Sequence, residues 1–384
     1  MSRAQDIDTV NHWTAISAAS ALIGINQLII NVQPLLLGAL ARHDGLSDTQ
    51  LGLISSSLIG GASLASATGP GWVRSVNWRK ITAIFIGGAS LALLAATHID
   101  QFGLLCAIFF IIGIMKGGIG VPSFVSLGDT RNPERNFGTS VAVQAGMAAI
   151  AAAPMAAWLI PAYGPSGVYF SLIGALMLGL VAAAYLPSGS GAQVGAGHRQ
   201  KIILTAALLP FAAVMLALML FTIGVTGFWF FLERIGTAKH VPESTIGLAV
   251  SGTALISIPG SFCVTWLSRW LSGLRFAVLG SMLIILGYGL VALPGAATFL
   301  TGSLIFAFGW GIAQPGYWAL ASQTDPTARL FVLSPAAGGV ASVLTGLVSG
   351  PIIVAYGYDG LMTFAALAIA AGVLLAAMAL RVRR

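Results

Sequence analysis

Charge is what this 384-residue sequence has least of: Asp, Glu, Lys and Arg together make 8% of it, against 57% hydrophobic residues. A soluble domain of this length carries about three times that charged fraction, so the chain reads as an integral membrane protein. Cysteine is scarce as well. Cys106 and Cys263 both fall inside apolar stretches, which argues against a disulfide framework and a metal site. The five histidines, His12, His43, His98, His198 and His240, lie in tails or loops, far from any Cys, Ser or carboxylate cluster that could form a catalytic set. The run Gly117-Gly118-Ile119-Gly120 is embedded in an apolar stretch with no preceding strand, so it is no phosphate loop. With no ATP-binding segment either, an enzyme is not expected, nor a cofactor.

What the chain has in excess is apolar length. Twelve stretches stand at about 13–41, 50–70, 81–97, 102–124, 138–161, 167–186, 203–231, 245–266, 276–293, 296–320, 331–355 and 359–380, most of them reaching the roughly 20 residues that cross a bilayer core. They are called spans 1 to 12 here. The first is too long for a cleaved signal and is expected to stay as span 1. If the N-terminus is cytoplasmic, fourteen of the 18 basic residues collect on that side, against Arg42, Arg234 and Lys239 on the other, with Lys116 left inside a span. Lys and Arg are retained on the cytoplasmic face during insertion, so both termini are expected inside, in a membrane of the bacterial inner type. The net charge of +7 then reflects topology and lipid contact, and no nucleic-acid partner is expected.

The two halves repeat. Moved back by 195 positions, Ile246-Gly247-Leu248 falls on Leu51-Gly52-Leu53, Arg269 on Arg74 and Arg275 on Lys80; at a shift of 194, Thr324, Arg329 and Phe331 fall on Thr130, Arg135 and Phe137. Two six-span bundles are expected, 1–187 and 201–384, joined by a Gly- and Ser-rich linker at 188–200. The loop after span 2 reads Gly69-Pro70-Gly71-Trp72-Val73-Arg74-Ser75-Val76-Asn77-Trp78-Arg79-Lys80, with a degenerate second copy at 267–275, and acidic-basic loops follow at 129–135 and 325–329.

In plan and in these loops the sequence resembles the major facilitator superfamily. Val73 stands where that family usually has Asp. The resemblance implies an all-α membrane fold of 12 transmembrane helices in two pseudo-repeated six-helix bundles, and secondary transport by alternating access around a midplane site. It also implies that Arg74, Arg79, Arg269 and Arg275 pair with Asp129 and Asp325 as a cytoplasmic gate; ordinary positive-inside anchoring is the other reading of those charges.

Spans 1, 4, 7 and 10 are expected to face the solute in this fold. Lys116 is the strongest candidate there, because an ammonium inside a span costs on the order of 2.5 to 3.5 kcal/mol on insertion scales and so needs water, a counter-ion or a ligand. It could instead snorkel to the headgroups or serve carbonyls near its glycines. Its repeat counterpart is Trp310, in a span 10 stripe of Ser303, Phe306, Trp310, Gln314 and Tyr317. Span 1 supplies Asn26, Gln27, Asn31 and Gln33, span 5 Gln144, and span 7 Thr222, Thr226, Trp229 and Glu233. These amides and aromatics serve either a solute or helix packing. Glu233, beside Arg234, is either a proton-coupling group or half of a charge pair at the rim.

The expected solute is a small organic anion drawn by Lys116, oriented by Gln27, Asn31, Gln144 and Gln314, and covered by Trp229, Trp310 and Tyr317. A proton or a counter-transported solute would drive any active transport. A proton-coupled exporter of hydrophobic or cationic compounds using Glu233, and a receptor or assembly partner that does not transport, are the alternatives.

Overall fold

Backbone amides in a bilayer core have no water to serve them and must pair within their own segment or a closed barrel. The computed structural model describes residues 10–130, 133–189, 209–267, 270–324 and 334–382, and over these it consists of helices and the turns that join them. In chain order they are α1 Trp13–Asn31, α2 Gln33–Asp44, α3 Asp48–Trp72, α4 Trp78–Ala96, α5 Phe102–Gly128, α6 Pro133–Pro154, a π-helical turn Met155–Leu159, α7 Ile160–Tyr163, α8 Pro165–Ala184, α9 Leu209–Ala238, α10 Glu243–Leu267, α11 Gly273–Ala292, α12 Ala296–Thr324 and α13 Ser334–Val382.

Among the described residues, 11 helical segments are long and apolar enough to cross a membrane, where the sequence separates twelve. The difference lies in α13, whose apolar part of 44 residues is about twice what one crossing needs. Spans 11 and 12 meet there at Gly357, which has φ 69° and ψ −175° inside an otherwise helical segment. That backbone region is open essentially to glycine alone, so one residue does the work of a loop. Two other spans are interrupted by proline chemistry. Span 1 divides at Val32 into α1 and α2, because Pro34 has no N–H to donate one turn back. Span 5 passes through the π-helical turn directly after Pro154.

The chain divides into two units. The first holds residues 1–32, 57–151 and 159–202, and the second 33–56, 152–158 and 203–384. The expected linker at 188–200 lies outside the described residues from position 190 onward.

In the first unit, α1 and α4 each pack on both α5 and α8. Its end near the α3–α4 turn is an apolar plug of Val10, Val73 and Trp78, flanked by Trp72, Val76, Val121 and Val125.

In the second unit, α9 packs on α13, and α11 on α12. The α11–α12 seam is built on three glycine pairs. Gly273, Gly280 and Gly287 each meet the backbone of Gly316, Gly309 and Gly302 in turn, so closely that a Cβ at Gly280 would stand 2.5 Å from the Gly309 carbonyl oxygen. The seven-residue step keeps all three on one antiparallel line. Lipid gives no hydrophobic reason for two apolar helices to associate, and small residues that let backbones approach supply the dispersion contact instead.

Candidate functional site

Lys116 lies in α5 and is half-buried. Its ammonium donates to Gln27 Oε1 on α1, at 2.7 Å. Among the described residues no carboxylate lies within ion-pair distance of it. The glycines beside it are spacers: a Cβ at Gly117 would meet Ala62 and Ala65 of α3, one at Gly118 the Phe85 ring of α4, and one at Gly120 the Asn26 amide of α1. Three helices can therefore approach α5 around the lysine. Of its three N–H donors, one is taken by a neutral amide.

The structure thus brings together two of the residues the sequence singles out, Lys116 and Gln27, with Asn26 as their neighbour. Asn31, at the end of α1, is half-buried. Gln144, also half-buried, stands where α6 crosses α1 at Gly24.

The α12 stripe is divided in use. Phe306 is buried against Phe228 and Tyr288, with ring centroids 4.7 and 5.8 Å away, and Tyr317 is buried against Phe221 at 4.6 Å. Ser303 bonds back to the Phe299 carbonyl at 2.7 Å. These three pack the second unit, while Trp310 and Gln314 stay half-buried, as does Trp229 on α9. Helical periodicity marks a face but not what covers it, which is why one stripe holds both kinds.

Glu233 is buried on α9 and accepts through Oε1 from the Arg42 guanidinium of α2 and from Thr237 Oγ1 at 3.0 Å. Its Oε2 has no partner among the described residues and lies where a Cβ on Gly38 would be. Arg234, the partner adjacency suggests, turns to Asp48 instead, with Nε 3.3 Å from Oδ1. Consecutive helical residues point about 100° apart and do not face each other. Tyr358 donates to both Asp48 oxygens at 3.1 Å, and Lys239 Nζ stands 3.4 Å from Asp359 Oδ1. Arg42, Arg234 and Lys239 are the three basic residues that break the charge rhythm, and each has a carboxylate. That exceptional status was the available signal for Arg42 and Asp48, which sequence reasoning passed over.

At the α3–α4 turn, Arg74 grips Asp129 with both Nη atoms, Nη2 to Oδ1 at 2.8 Å, and its cation lies 5.9 Å from the Trp78 ring centroid. Val73 is buried where the family usually has Asp, and its carbonyl accepts from the Trp78 indole at 2.7 Å. Arg79 donates to the Leu186 carbonyl and Arg275 to that of Trp270, the latter at 3.4 Å. Arg269 and Asp325 lie outside the described residues.

Two crystal structures of the nucleoside transporter NupG, one of them a mutant, share this fold with TM-scores of 0.71 and 0.70. Each is 14% identical to this chain, and the alignments cover 96% of it and 99% and 98% of theirs. No curated protein matches the chain by sequence. Residues 16–332 match the Major Facilitator Superfamily. With that match over most of its length, and with its membrane-length helices, the chain belongs to the Major Facilitator Superfamily of membrane transporters.

Proposed function

We propose that this transporter carries a small organic anion by alternating access, with Lys116 attracting the anionic group. The observation that supports the reading is the Lys116–Gln27 contact: a cation inside a membrane-spanning helix is held by a neutral amide, with no described carboxylate to balance it. Intramembrane cations ordinarily find a counter-charge or mark a solute path. A carboxylate or similar anion arriving with the solute would supply the missing charge and use the two remaining N–H donors. Gln27, Asn31 and Gln144, which belong to the same unit as Lys116, then orient the solute.

In this reading the repeats 1–187 and 201–384 are the moving halves, 188–200 links them, and both termini face the cytoplasm of a bacterial inner membrane. Arg74 and Asp129 serve the cytoplasmic gate, joined by Arg79, Arg269, Arg275 and Asp325 during the transport cycle. The Arg42 partner of Glu233 favours a structural charge pair over proton coupling. The NupG structures are those of a nucleoside transporter, and a neutral nucleoside would leave the Lys116 charge unmatched.

Counterflow in proteoliposomes tests the proposal, using labelled carboxylates, neutral nucleosides and lipophilic cations. Carboxylate exchange by the wild type, with loss in Lys116→Gln, is the expected result. Exchange of nucleosides or cations alone contradicts it, and no exchange of any solute returns the non-transporting receptor.

A further inference from the structure

Asn26 and Gln27 are consecutive on α1, yet both reach α5, at positions one helical turn apart. Gln27 takes the Lys116 ammonium. Asn26 lies at Gly120, where a Cβ would come within 2.9 Å of its Nδ2. The residue is 6% exposed, and its Oδ1 is shut away from solvent with no hydrogen-bond partner among the described residues. Buried hydroxyls without a partner, such as Ser20 and Thr82, can turn to a carbonyl of their own helix. A planar carboxamide has two ends and needs an outside group, and lipid offers none.

Resting on the anion reading of Lys116, we infer that Asn26 is a specificity-determining residue that recognises a hydroxyl on the solute, so that the preferred substrates are hydroxylated organic acids. A carboxamide carries an acceptor and a donor, and a hydroxyl is both, so the match holds whichever amide end faces the ligand. The spacing suits a longer acid best: positions 116 and 120 are about 6 Å apart along the helix axis, the scale on which a polyhydroxy acid such as gluconate separates its carboxylate from a distal hydroxyl. Gly120 makes the arrangement possible, because any side chain there would push the amide away. A plain acid would satisfy Lys116 and leave Asn26 unpaired. Sites that hydrogen-bond a substrate hydroxyl discriminate strongly against analogues that lack it.

The test is calorimetric binding to the purified full chain of three matched pairs: glycerate and propionate, gluconate and hexanoate, mandelate and phenylacetate. The neutral amide of each acid is the charge control. The wild type is expected to bind the hydroxylated member of at least one pair about 10-fold or more tightly than its plain partner. In Asn26→Leu that ratio falls toward one, while acids still bind better than their amides. Gly120→Ala, which displaces the amide without removing it, lowers the ratio in the same direction and serves if Asn26→Leu does not fold. A hydroxyl preference that survives both substitutions overturns the role of Asn26 and leaves the anion site standing. Absence of any hydroxyl preference in the wild type, or no binding of any pair, also overturns it. Amides that bind as well as acids remove the anion reading on which it rests.

Discussion

Glu233 and Arg42, 191 residues apart in sequence, are joined by an ion pair with unequal ends: the Glu233 side chain is 3% exposed and that of Arg42 35%. Removing the exposed partner strands a buried carboxylate, whereas removing the buried one leaves a guanidinium that can turn to water. Arg42→Ala is therefore expected to lower stability by about 3–5 kcal/mol, the range for breaking a buried pair from one side. Glu233→Gln is expected to cost about 0–1 kcal/mol, as for exposed pairs. Thermal unfolding of both variants in the same detergent decides it, and equal losses would contradict the asymmetry.

The glycine seam between α11 and α12 supplies a control on its own helix. A Cβ at Gly280 would run into the backbone of Gly309 and Ala313, whereas one at Gly289 meets nothing within 4 Å. Gly280→Val is expected to destabilise by about 1–3 kcal/mol through forced helix separation. Gly289→Val, facing open space, should stay within about 0.5 kcal/mol of wild type, the usual range for surface substitutions. Equal melting temperatures for the two would show that the seam is looser than described.

Restoring the family's acidic residue at Val73 should harm this protein. Val73 is 3% exposed in a cluster with Val10 and Trp78, and a carboxylate placed there would be desolvated without a partner assigned to it. Val73→Asp is expected to lose at least about 2 kcal/mol of stability, and Val73→Ala less. A Val73→Asp protein as stable as wild type and faster in transport would mean that an acidic residue, and not the apolar plug, is the working form of this loop.

The cytoplasmic gate proposal concerns Arg74 and Asp129, already paired within the first unit. Joint neutralisation, Asp129→Asn with Asp325→Asn, is expected to favour the inward-facing state, read as increased labelling of introduced cysteines from the cytoplasmic side. Unchanged labelling from both sides would show that these charges anchor loops and do not latch.

Hydropathy and the distribution of Lys and Arg were enough to read the class of fold, because insertion in lipid depends on apolar length and flanking charge. They could not show that spans 11 and 12 join at one residue. Gly357 differs from its neighbours in φ, a property of backbone and not of polarity. Lys116 was legible as a lone cation within a span, and Gln27 as one of several amides near membrane depth. Their pairing was not, since it depends on how α1 rotates against α5. The Arg42–Glu233 and Arg234–Asp48 pairs were hidden behind the adjacency of Glu233 and Arg234. The α12 stripe was legible as a face, but the coverage of Phe306 and Tyr317 by Phe228 and Phe221 comes from other helices.

The central claim is that Lys116 is a site for an anion and not a structural cation satisfied by Gln27. Ligand-induced thermal shift on purified wild type and Lys116→Ala, with matched anionic, neutral and cationic small molecules, tests it most directly. A ligand at about 100 times its Kd adds about 2.7 kcal/mol to the folded state, well within reach of the measurement. The account predicts that anions alone stabilise the wild type and that Lys116→Ala loses this response while remaining folded. Equal stabilisation of both proteins by neutral or cationic compounds, with none by anions, would contradict it.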